Sequence, residues 1–89
     1  MTSTAAPFSA VHTELSPHDA AAVLWHFGLP GGRDPGRFLQ SLLTTIAHAD
    51  LVNRALLHQS FPDLVDAFDA VANTPEGVGE LSRIAFLAS

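Results

Sequence analysis

Five histidines are the first candidates for chemistry in this sequence, because imidazole both binds metals and transfers protons. A metal site on one helix needs two ligands three or four residues apart, so that both lie on the same face. No two of these histidines have that spacing, and an HExxH motif is absent. We therefore predict surface or helix-end histidines, no metal and no cofactor. They are His12, His18, His26, His48 and His58.

Three aspartates, Asp63, Asp66 and Asp69, recur at three-residue intervals. Acid–base catalysis by paired carboxylates needs two groups across a cleft in different environments. Three carboxylates on one helix face are more typical of a solvated surface, with contact to a basic partner as the alternative.

A glycine-rich loop precedes the second predicted helix and contains Arg33, with Arg37 just beyond it. It lacks the GxxxxGK[ST] pattern of phosphate-binding loops, so we interpret it as structural, and the two arginines as the best candidates for anion contact. A GxSxG elbow and cysteine are also absent. The sequence predicts no enzymatic activity.

The cluster Asp50-x-x-Asn53-Arg54 is the most distinctive polar feature. Asp50 is expected to cap a helix by accepting a hydrogen bond from the Asn53 amide, and Arg54 can reach back to Asp50. A structural role is favoured, with a recognition site as the alternative. Trp25 is interpreted as a core-edge residue, with an interface anchor as the alternative. The candidate partner-binding residues are Trp25, Arg33, Arg37, Asn53 and Arg54.

The composition indicates one small domain, since 89 residues leave no room for a second core. Hydrophobic residues make up 47% and charged residues 15%, so we expect a folded chain. Either its core is dense, or some apolar surface is covered by a second copy or a partner. Nine acidic residues against four arginines give a net charge of −5, which argues against nucleic-acid binding. We find neither a signal peptide nor a membrane span, and expect a cytoplasmic protein.

The periodicity of apolar residues predicts an all-α fold, a compact bundle of four to five short helices with proline-marked starts. Residues 1–15 are predicted as a flexible arm and residues 16–89 as one helical domain. The second helix is expected over residues 35–49 with Asp34 as its cap. Asp50 is expected to separate it from a third helix, although one long bent helix is the alternative. The predicted core combines the face of the last helix with Phe38, Leu42, Ile46, Leu56, Phe61, Leu64 and Phe68.

The pattern P-G-x-F-x-x-x-L-L-x-x-I-x-x-A-D-x-x-N-R-x-x-L, from Pro35 to Leu57 and followed by Phe61-Pro62, resembles small uncharacterised helical proteins of actinobacteria and their phages. The resemblance covers about the middle third of the chain. It implies a small α-helical protein of a phage or mobile element, and it supplies no activity and no functional residue.

The leading hypothesis is a non-enzymatic protein-interaction module, an accessory factor that binds a host protein and self-associates. A small enzyme or ligand-binding domain is the alternative, and it requires a polar pocket that joins at least two of His26, His58 and Asp50. Nucleic-acid binding is a third and less favoured hypothesis, and it requires a basic surface.

Overall fold

A computed structural model describes residues 15–86, which form five α-helices. A loop over residues 27–36 joins the first two helices, and turns of one or two residues join the others. The predicted all-α bundle is confirmed. Most of the predicted N-terminal arm lies outside the described residues, but Leu15 is buried, so the core begins one residue before the first helix cap. The helices are α1 (Pro17–His26), α2 (Arg37–His48), α3 (Leu51–Ser60), α4 (Pro62–Asn73) and α5 (Pro75–Phe86).

Three of the helices begin with a proline, which fits the first turn because its missing N–H needs no partner there. Before α1, the Ser16 hydroxyl accepts a hydrogen bond from the Asp19 amide at 3.0 Å, as the sequence predicts. Before α5, the Thr74 hydroxyl accepts one from the Gly77 amide at 3.1 Å. The starts of α1 and α5 are therefore specified by local hydrogen bonds.

The start of α2 differs from the prediction that Asp34 caps it. The capping position is occupied by Gly36, whose φ of +88° is accessible mainly to glycine. The Asp34 carboxylate instead accepts hydrogen bonds from the Gly36 amide at 2.9 Å and the Gln40 side chain at 2.7 Å. The aspartate therefore fixes the turn before the helix, and α2 begins two residues later than expected.

The centre of the fold is formed by α1 and α4, each of which packs against α5, α2 and the other. Every residue from Ala20 to Leu24 is buried, so α1 is enclosed around most of its circumference, which its short alanine side chains allow. In contrast, α3 packs mainly on α4. The third helix is therefore an appendage to a four-helix core.

Two glycines allow close backbone approaches within this core. A Cβ atom on Gly77 of α5 would overlap the backbone of Ala70 in α4, and one on Gly32 would overlap the backbone of Trp25 in α1. The Gly32 loop is further fixed to α1 by a hydrogen bond from the Arg33 amide to the Ala21 carbonyl at 3.2 Å. The glycine-rich loop thus has a packing role.

The predicted core is correct for four of its named side chains and wrong for two. Leu42, Ile46, Leu64 and Phe68 are buried, and Phe61 is half-buried against the core. Phe38 is 68% exposed and Leu56 is 55% exposed, because the apolar faces that carry them extend beyond the area that neighbouring helices cover.

Candidate functional site

Polar side chains make the principal hydrogen bonds from α3 to the rest of the protein. The Arg54 guanidinium bonds to the Asp69 carboxylate of α4 at 2.5 Å and to the Ile46 carbonyl of α2 at 3.3 Å. It also lies 5.6 Å from the centre of the Phe68 ring, close enough for a cation–π interaction. One arginine therefore links three helices.

A second polar contact joins the same two helices. The His58 Nε2 atom lies 2.9 Å from an Asp66 carboxylate oxygen. Asp66 and Asp69 thus face α3, and the interpretation of the aspartate row as a solvated surface is wrong for these two residues. The basic partner of the row is a helix of the same chain.

The break before α3 is confirmed, and Asp50 is its cap. The Asp50 carboxylate accepts a hydrogen bond from the Asn53 amide at 2.8 Å, as predicted. The predicted reach of Arg54 back to Asp50 is wrong, because the guanidinium turns to α4. Ala49 and Asp50 both have extended backbone conformations and separate α2 from α3.

The opposite side of α3 faces solvent and is apolar except for Gln59. None of the ten side chains of this helix, all within the described part of the chain, is buried. Leu51 is 86% exposed, Val52 71% and Leu56 55%. We define the α3 outer face as the exposed residues Leu51, Val52, Ala55, Leu56 and Gln59.

The usual orientation of an amphipathic helix is therefore partly reversed, although Leu57 still packs against the core. Ordinarily the apolar stripe faces the core and the charged residues face water. Here the charged Arg54 and the ionisable His58 contact α4. Since each helical residue turns the chain by about 100°, the outer face spans an arc of about 140° that contains no ionisable group.

A groove of about 470 Å³ between α2 and α3 adjoins the outer face and shares Leu56 with it. The hydroxyls of Thr44 and Thr45 on its α2 wall already donate to backbone carbonyls one turn earlier in the helix. The groove thus adds both apolar and polar contact area to the outer face. It is lined by Thr44, Thr45, His48, Ala49, Asn53, Leu56 and Leu57.

The five candidate partner-binding residues are distributed over three parts of the fold. Asn53 lines the groove, whereas Arg54 on the same helix is bound to α4. Trp25 is 37% exposed at the end of α1, next to the loop whose Arg33 lines a separate cavity of about 210 Å³. Arg37 is exposed in the first turn of α2.

The residues of the enzyme hypothesis have separate roles in the structure. His26 packs its ring against Phe27 and Phe68 at 5.1 and 5.3 Å, His58 bonds to Asp66, and Asp50 caps α3. Among residues 15–86, no three histidine or acidic side chains lie together in a way that could hold a metal ion. His12 lies outside this range.

Comparisons with protein families, curated proteins and solved structures find no significant match. Over the described ranges, no helix is both long and apolar enough to cross a membrane.

The outer face is the feature that sequence reasoning missed. The periodicity places Val52, Ala55 and Leu56 on one side of α3, but it also suggests that this side is buried. The sequence does contain a signal for the observed orientation. Arg54 and His58 on α3 are complementary in charge to the aspartate row on α4, which indicates that this side of α3 faces α4.

Proposed function

We propose that this protein is a non-enzymatic protein-interaction module that binds its partner through the α3 outer face and the adjoining groove. The observation that carries the proposal is the exposed apolar side of α3, which presents Leu51, Val52 and Leu56 to solvent. Large exposed apolar patches on small domains mark interaction sites.

The amount of apolar surface supports a partner that covers more than the helix itself. The exposed fractions of Leu51, Val52 and Leu56 add up to about two complete side chains. Burying that apolar surface contributes roughly 3–6 kcal/mol to the free energy of binding. Association costs about 4–15 kcal/mol in lost freedom, so a stable complex needs additional contacts. The neighbouring groove is in position to provide them.

The partner class follows from the chain's charge and from the resemblance of residues 35–57. A net charge of −5, with Arg54 engaged by Asp69, disfavours nucleic acid. The resemblance to small helical proteins of actinobacteria and their phages implies an accessory factor, and we propose a cytoplasmic host protein as its partner.

Affinity capture from an actinobacterial lysate, quantified by mass spectrometry, tests this proposal. Three baits are compared: the native chain, Val52→Asp and His18→Asp. Val52 and His18 are each the second residue of a helix, and both are exposed. A carboxylate at that position is stabilised by the positive end of the helix dipole, so both variants should fold.

A partner should be recovered by the native chain and by His18→Asp, and it should be depleted at least about tenfold with Val52→Asp. The recovered protein is then purified and titrated against all three baits. Equal recovery by all three baits, or no specific recovery by the native chain, would overturn the proposal. Arg54 is unsuitable for this test because it holds α3 on α4.

A further inference from the structure

We infer that a second copy of this chain docks on the α3 outer face, so that two α3 helices pack antiparallel about a two-fold axis. This inference rests on the proposed function, because it gives the same surface an occupant in the absence of the host protein, and the two occupants then compete for that surface. It depends on the charge and the symmetry of the face.

The charge distribution permits self-association at this face. The whole chain carries a net charge of −5, so two copies repel each other when acidic surfaces meet. The outer face has no ionisable side chain, and Arg54 and His58 of the same helix point away toward α4. Two outer faces can therefore meet without burying an unpaired charge.

The sequence of the face is complementary to itself in the antiparallel orientation. A two-fold axis perpendicular to α3, placed between Asn53 and Arg54, sets Leu51 opposite Leu56 of the second copy. The same axis sets Val52 opposite Ala55 of the second copy. Large residues thus meet at the margins, and the small Ala55 lets the helices approach closely along the centre.

The orientation is also favoured by electrostatics. Antiparallel packing places the positive N-terminal end of each α3 beside the negative C-terminal end of the other. The opposite, parallel arrangement brings ends of the same sign together.

The small size of the contact indicates a weak association. A ten-residue helix is about 15 Å long, so a pair of outer faces buries less than the roughly 800 Å² per partner of a standard interface. We expect a reversible dimer with a dissociation constant of roughly 10 µM to 1 mM.

Sedimentation equilibrium of the purified chain tests this assembly. The mass should rise with concentration from 9.4 kDa toward twice that value. Val52→Asp should weaken the dimer at least about tenfold, because symmetry places two carboxylates in the contact, whereas His18→Asp should not. Added salt should strengthen the native dimer, since it screens the repulsion between acidic chains.

Engineered cysteines test the orientation, because the chain contains no cysteine of its own. With helix axes 8–10 Å apart, the Cα atoms at positions 52 and 55 of opposing helices lie about 4–6 Å apart, within disulfide range. A mixture of the single variants Val52→Cys and Ala55→Cys should therefore form the mixed disulfide on mild oxidation. Leu51→Cys alone should not cross-link, because its two copies lie about 10 Å apart or more.

Each negative result has a separate meaning. A single-chain mass up to about 1 mM, or a dimer that is insensitive to Val52→Asp, overturns self-association through α3. If Leu51→Cys alone gives as much cross-linked dimer as the mixture of Val52→Cys and Ala55→Cys, the antiparallel arrangement is overturned. Neither result affects the proposed function if affinity capture still recovers another protein in a manner that depends on Val52.

Discussion

Gly77 and Gly79 lie one turn or less apart in α5, and replacing each with alanine should change stability in opposite directions. In a helix interior, alanine is favoured over glycine by about 0.5–1 kcal/mol, since glycine loses more backbone entropy on folding. A Cβ atom on Gly79 meets nothing within 4 Å. The Gly79→Ala variant should therefore gain that amount, which is about 2–8 °C in melting temperature for a chain of this length.

Gly77 receives the same gain in helix propensity but a larger steric cost. Its added Cβ would overlap the carbonyl group of Ala70 and approach the amide nitrogen of Val71. These atoms belong to the backbone of α4 and cannot rotate away, so the two helices must separate. Overpacking costs about 1–3 kcal/mol or more, and the net loss for Gly77→Ala should be about 2 kcal/mol.

Urea unfolding followed by circular dichroism measures both variants against the native chain. The two substitutions are chemically identical and in the same helix, so a difference in sign isolates the contact with α4. A Gly77→Ala variant as stable as Gly79→Ala would refute the close approach of α4 and α5 described above.

Three further predictions concern the attachment of α3 and the limits of the core. Arg54→Met should lower the free energy of unfolding by about 1–3 kcal/mol. A double-mutant cycle with Asp69→Asn should give a coupling energy of about 0.5–1 kcal/mol, and the absence of coupling would contradict the ion pair. Asp50→Ala should cost about 1 kcal/mol and lower hydrogen-exchange protection more in α3 than in α1; equal loss in both helices would argue against a local cap. Leu56→Gln should change the free energy of unfolding by less than about 0.5 kcal/mol, because Leu56 is exposed. Leu43→Ala, at a fully buried site, should cost about 2–5 kcal/mol, and similar losses at the two sites would contradict this difference in burial.

The helix starts were predictable because their signals are local. Ser16 and Asp50 cap with amides three residues ahead, and Thr74 does the same before α5. The start of α2 was placed two residues too early because a positive φ at Gly36 is not evident from composition alone. A cap and a turn use the same residue types, so Asp34 fits both.

The candidate site was harder to predict because periodicity identifies a face without showing what covers it. Phe38 and Leu56 fit the amphipathic pattern, which predicts that both lie in the core, yet no neighbouring helix covers them. The orientation of α3 depends on the ion pair between Arg54 and Asp69, which are fifteen residues apart along the chain. A contact at that separation is set by tertiary packing.

Under the proposed function, folding and recognition fall to different parts of this chain. The four-helix core contains every buried side chain of the described residues, while α3 contributes none. Substitutions on the outer face therefore carry little folding cost, and positions 51, 52, 55, 56 and 59 can vary with only binding to constrain them. Such separation lets a small protein acquire new partners without passing through unfolded variants, and it makes α3 a natural site for a randomised binding library.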